Sequence, residues 1–212
     1  MKSIILVAAC LSIATTGFSQ FNKGDKLLVG GFSIQTEKRS NTSAMGSTYE
    51  YNNYSVNPAV GFFVTENTAF GVRLGYANTY SKYFFPSSSN SEANYNEYFG
   101  GLMIRRYYLI SEKFFFLIEG SLGYAKGERN STYVDYNNGT ISKGESKTDE
   151  FSALVAPKFV FFPSSKWGFE AGIGSVSYSN TSNSGSNALT SQFNLNYGVF
   201  TLGFAYYIRK QN

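Results

Sequence analysis

There is no histidine anywhere in these 212 residues. Without it a serine nucleophile has no ordinary general base, because no other side chain titrates near neutrality unaided. Metal sites lose their commonest ligand as well. The carboxylates that remain in polar stretches, Glu128, Asp135, Glu145, Asp149 and Glu150, read as solvated charges rather than as a calcium site. Cysteine occurs once, as Cys10, so a chain cut beyond that point has neither disulfide nor thiolate chemistry. Charged residues make up only 15%, with a net charge of +4. No basic run interleaves with aromatics, so nucleic-acid binding has no support. After residue 20 no apolar run approaches the ~20 residues of a membrane-spanning helix. No glycine-rich phosphate loop is present. The expectation is a non-enzyme with no catalytic residue, metal or cofactor.

What is present begins at the N-terminus. Met1-Lys2 is a short positive region, Ile4 to Ile13 is apolar, and Gly17-Phe18-Ser19 supplies small residues for cleavage. This reads as a signal peptide over 1–20, cut after Ser19 or Gln20. Val7-Ala-Ala-Cys10 offers an alternative, a lipoprotein signal. Residues 21–212 then form one domain. Aromatics reach 18%, with 17 Tyr, 20 Phe and 21 Gly, yet mean hydropathy is −0.20. Phe, Tyr and Gly interleave with Ser and Asn. That mixture suits strands with one face toward lipid and the other toward a polar interior. A membrane chain without a spanning helix must be a closed barrel; the alternative is a soluble β-protein.

Strand-like segments occur near 26–36, 51–64, 68–80, 94–109, 114–127, 147–162, 167–178 and 188–208. Tight links at 65–67, 110–113 and 163–166 alternate with long ones at 37–50, 81–93, 128–146 and 179–187, rich in Ser, Asn, Thr and Gly. An up-and-down barrel with short periplasmic turns and long extracellular loops has that order. Period-2 alternation puts Tyr54, Val56, Pro58, Val60 and Phe62 on one face, and likewise Phe70, Val72, Leu74 and Tyr76. Phe114, Phe116, Ile118, Leu122 and Tyr124 share a third such face. In the last segment Phe193, Leu195 and Tyr197 alternate, but Leu202, Phe204, Tyr206 and Ile208 follow in the opposite phase. A bulge near 197–200 is expected. Pro58 and Pro157 each lie within a strong strand, in two similar hairpins, and each requires a bulge or a wide spacing.

The polar faces carry Arg73, Glu119, Lys158 and Glu170, joined by either Arg105 or Arg106. An eight-stranded barrel is just wide enough for side chains to fill it. Charges there must pair, so the set reads as a salt-bridged plug, with a gate or narrow ion path as the alternative. Aromatics near segment ends, among them Tyr54, Tyr98, Tyr107, Tyr108, Phe162, Trp167, Tyr206 and Tyr207, read as interfacial girdles.

Pro58 to Tyr76, Arg106-Tyr-Tyr108 with Phe114 to Tyr124, and Thr201 to Ile208 carry a resemblance. The chain resembles the small eight-stranded outer-membrane barrels typified by the OmpA barrel and OmpX, in the stand-alone form common in Bacteroidetes-like bacteria. The resemblance implies a porin-like or adhesion-type protein of the bacterial outer membrane, with Gly203, Phe204, Tyr206 and Ile208 in the C-terminal insertion signal. It departs from the family in that Arg209-Lys-Gln-Asn212 follows the last apolar residue. The partners it implies are outer-membrane lipid and lipopolysaccharide, the barrel-assembly machinery and an unknown extracellular ligand, for a monomer that binds no nucleic acid. The functional expectation is a side-chain-filled barrel that acts through its loops. A narrow pore for small solutes or ions is the alternative, and an envelope-modifying enzyme is less favoured.

Overall fold

The computed structural model describes residues 21–40, 46–86, 88–184 and 188–209. The expected signal peptide over 1–20, with Cys10, lies outside them. Eight strands follow in chain order: β1 (Lys26–Ser40), β2 (Thr48–Phe63), β3 (Thr68–Phe85), β4 (Ser89–Ser111), β5 (Phe114–Asp135), β6 (Thr140–Phe161), β7 (Trp167–Asn183) and β8 (Ala188–Ile208). Each pairs antiparallel with the next, and β8 returns to β1 to close a barrel.

The strands are longer than the apolar alternation suggests. The long links contract to 41–47, 86–88, 136–139 and 184–187. Polar residues beyond the alternating stretch still exchange backbone hydrogen bonds with the facing arm, so most of the expected loop is paired hairpin. β4 alone has 23 residues, about twice the 9–11 needed to cross a bilayer. Across the projecting part runs a row of opposite charges, Lys38 facing Glu50, Glu50 facing Lys82 and Lys82 facing Glu92, spanning β1 to β4. The Lys38–Glu50 contact is 2.7 Å and Lys82–Glu92 2.6 Å. The bond to Glu92 raises the proton affinity of Lys82, Lys82 lowers that of Glu92, and Lys38 lowers that of Glu50.

At the opposite end the turns are tight and tied to their neighbours. Tyr107 N–H donates to Asn67 O at 2.8 Å, Phe162 N–H to Lys113 O at 2.8 Å, and Tyr207 N–H to Lys166 O at 2.7 Å.

The expected phase change in β8 is present. Gly172 faces Thr201 but Gly174 faces Tyr197, so Gly198, Val199 and Phe200 oppose Ile173 alone. Gly198 takes φ 77°, which only glycine adopts without strain. Above this point Tyr197 and Leu195 face outward; below it Phe200, Leu202 and Phe204 do. β7 also slips, one residue out of step with β6 between Val155 and Lys158, beside Pro157. The missing donor of Pro157 therefore coincides with a bulge. At Pro58 the pairing with β3 lapses between Val56 and Ala59, with no change of register.

Candidate functional site

The lumen has three levels. At the turn end it is filled by rings. Phe21 stacks on Phe63 at 4.3 Å and packs against Tyr107 at 4.9 Å, Tyr207 at 5.4 Å, and Phe115 and Phe162 at 5.6 Å. Each of these six is no more than 4% exposed. Tyr107, Phe162 and Tyr207 thus face inward, contrary to their expected place in an outer girdle. Alternation explains this, because each directly follows or precedes an outward aromatic along the chain. Below the rings a latch joins the segment preceding β1 to the residue that follows β8. The Arg209 guanidinium lies 4.6 Å from the Phe21 ring centre, its Nε donates to Ser165 O at 2.9 Å, and it is 3.6 Å from the buried Asp25 carboxylate. The basic residue after the last apolar position is thereby part of the seal.

Above the rings sits the charge cluster. Arg73, Glu119, Lys158 and Glu170 all face the lumen and come together there. Arg105, not Arg106, is the arginine of β4 that joins them. Arg105 is fully buried, while Arg106 faces outward, 5.8 Å from the Tyr108 ring. Arg105 grips Glu170 with both terminal nitrogens, at 2.6 and 3.1 Å, and also pairs with Glu119. Glu119 receives Arg73 at 2.6 Å and Lys158 at 2.9 Å, and Lys158 stands 3.7 Å from Glu170. Two carboxylates thus knit strands β3 to β7 through three cations. Lone charges in such a place would cost several kcal/mol each, so mutual pairing is what lets them stay. The cations exceed the carboxylates by one. The Nε atoms of Arg73 and Arg105 are buried with no hydrogen-bond partner among the described residues.

Above the cluster the lumen is not filled. A cavity of about 680 Å³ lies there, with Arg73, Lys158 and Glu170 in its floor and Ser121, Ser152 and Asn194 among its walls. The expectation of a filled interior therefore holds for the turn half only. Small side chains on the upper inward positions leave this space.

The outer wall reverses the polarity of a soluble protein. Phe32, Ile34, Val60, Leu74, Leu102, Leu122, Val155, Leu195, Leu202 and Phe204 are all about half exposed or more, and they lie on every side of the ring. Aromatics edge this belt. Tyr54, Tyr76 and Tyr98 form a row on the hairpin side, 6.1 and 5.2 Å apart. Phe114, Phe159, Trp167 and Tyr206 edge the turn side, Trp167 and Tyr206 in edge contact at 4.9 Å. A continuous apolar belt far exceeds the patch a soluble monomer exposes. Apolar outside, charged inside and closed in a ring of even strand number, the wall meets what a bilayer demands. This is a β-barrel of the bacterial outer-membrane type.

No family model and no curated protein matches the sequence. Among solved structures, the outer membrane protein OprG of Pseudomonas aeruginosa is 14% identical over 90% of this chain and 99% of its own, with a TM-score of 0.48. Ail, the attachment invasion locus protein of Yersinia pestis, is 14% identical over 88% and 99%, at 0.40. The N-terminal barrel domain of P. aeruginosa OprF is 10% identical over 88% and 98%, at 0.33. The membrane assignment rests on the chain's own wall.

Of the residues expected to form the insertion signal, Phe204 and Ile208 face the belt, Tyr206 packs on Trp167, and Gly203 turns toward the lumen. Among the described residues no group of His, Cys, Asp or Glu is placed to hold a metal ion. The loop carboxylates are engaged locally instead: Asp149 accepts from Tyr124, Glu150 accepts from Thr181, and Glu128 lies 3.7 Å from Lys147. Sequence reasoning leaves Phe21 and Asp25 unremarked and meets Arg209 only as a departure in the tail, since a phenylalanine next to an expected cleavage site and an arginine after the last strand carry no periodic signal.

Proposed function

We propose that this is a non-conducting, non-enzymatic outer-membrane protein that presents its four projecting hairpins as an interaction surface. The seal of the turn-end lumen carries the reading. Stacked rings under a mutually paired charge cluster leave no continuous path between the two mouths. The strands continue well past the belt as paired hairpins, which gives a partner rigid edges and tyrosines to bind. Tyr49 and Tyr83 pack against each other, tilted, at 4.4 Å on this projecting part, and loops on rigid scaffolds are the usual carriers of recognition. The ligand, the envelope partners and the monomeric state belong to the same proposal. Reconstitution in planar bilayers tests the seal: the expected result is no stepwise conductance. Stable unitary steps would replace this reading with the narrow pore.

A further inference from the structure

The ring is not closed to its full height. β1 and β8 pair only from Lys26 to Gly30 against Phe204 to Ile208. Every other neighbouring pair runs for twelve or more residue pairs. Above Gly30 the edges of β1 and β8 separate, and the slit begins within the belt, where Phe32 is 81% and Leu202 88% exposed. On β8 from Leu189 to Tyr197 both faces are exposed, including the inward Asn194 and Asn196. Gly30 and Gly31 on one edge and Leu202 and Gly203 on the other also line the cavity above the charge cluster. A side chain added at Gly31 would meet nothing within 4 Å.

Unpaired strand edges in hydrocarbon are costly, and non-helical backbone at that depth is tolerated only where it borders a polar cavity. Here it does. The bulge at Gly198–Phe200 shifts β8 against a one-for-one continuation of the β1 register, which hinders the seam from zipping upward. We propose that the β1–β8 slit is a lateral portal between the cavity and the lipid phase, and that it admits a single-tailed amphiphile with an anionic head. The tail lies in the slit between the outward edges of Phe32, Ile34, Phe200 and Leu202. The head enters the cavity, whose floor has one more cation than carboxylate and presents the partly accessible side chains of Arg73 and Lys158. The seal beneath stops the head from going further, so the exchange is between cavity and membrane, independent of conductance.

The test uses the refolded full barrel in phosphatidylcholine vesicles and a fatty acid carrying a diazirine in its tail. Photolabelling is expected at the two slit edges and at luminal positions, with the matching alkyl amine labelling about tenfold less, the factor that one charge-assisted hydrogen bond supplies. Continuing the β1–β8 register places Ser33 opposite Thr201. The S33C/T201C pair, oxidised, closes the slit, removes luminal labelling and regains it on reduction. Amide exchange at 31–34 and 200–203 is read in parallel in the unmodified protein. Fast exchange there supports the portal. Protection equal to that of β4–β5, labelling spread evenly around the belt, or equal labelling by acid and amine overturns it. Unitary conductance would sink the sealed-lumen reading while leaving these outcomes interpretable.

Discussion

Replacing Arg105 by methionine should cost more stability than any other single change in the charge cluster. Arg105 supplies both short contacts to Glu170, at 2.6 and 3.1 Å, and a further pair to Glu119. Once it is gone, Glu119 retains Arg73 at 2.6 Å and Lys158 at 2.9 Å. Glu170, 5% exposed, retains only Lys158 at 3.7 Å. The loss therefore falls on one buried carboxylate. Breaking a buried pair from one side costs about 3–5 kcal/mol, or about two to three and a half powers of ten in the unfolding constant. Removing both partners leaves no stranded charge, so Arg105→Met/Glu170→Met should recover at least half of that. The coupling in the double-mutant cycle should then be about 2–3 kcal/mol. Urea unfolding of the barrel in detergent micelles measures this, followed by the fluorescence of Trp167, the only tryptophan, and by the heat-dependent gel shift. A single variant within about 1 kcal/mol of the parent, or a double variant no more stable than the single, would show that Arg105 and Glu170 do not depend on each other as drawn.

Four further outcomes follow from the same geometry. Phe21→Ala removes the ring at the centre of the turn-end stack and should cost about 3–5 kcal/mol, read in the same unfolding assay; a cost below about 1 kcal/mol would mean that the segment at Phe21 does not plug the mouth. Arg209→Ala breaks the contacts to Ser165 O and Asp25 and should cost about 1–3 kcal/mol, with faster protease clipping near residue 21. Gly71→Ala places a methyl 2.4 Å from Val60 O and should cost about 1–3 kcal/mol by forcing strands apart, whereas Gly31→Ala should be silent. Glu50 and Glu92 hold their protons less tightly when folded than an ordinary carboxylate, because Lys38 and Lys82 bond to them. Their contribution is therefore present above the usual glutamate value of about 4.3 and is lost as pH falls through the lowered one. Protection factors for amide hydrogen exchange in the β1–β4 projections should fall on acidification while those of the belt stay unchanged.

The sequence by itself determined the class of fold. Alternation in β2, β3 and β5 marks which face meets lipid, because a pleated strand sends successive side chains to opposite sides. The phase change at Tyr197–Phe200 marks a bulge for the same reason. Where the polar residues of 128–146 pair was not legible, since Ser, Asn and Thr carry no periodic contrast; there the hairpin is held by backbone bonds to the facing arm. Nor was the choice between Arg105 and Arg106, since alternation around two adjacent arginines fits either phase. Only the tertiary structure decided it, by setting Arg105 between Glu119 and Glu170, residues from two other strands. The aromatic seal, the Arg209 latch and the slit between β1 and β8 were decided in the same way. Each depends on distances between segments far apart in the chain, which a pattern read along one strand does not contain.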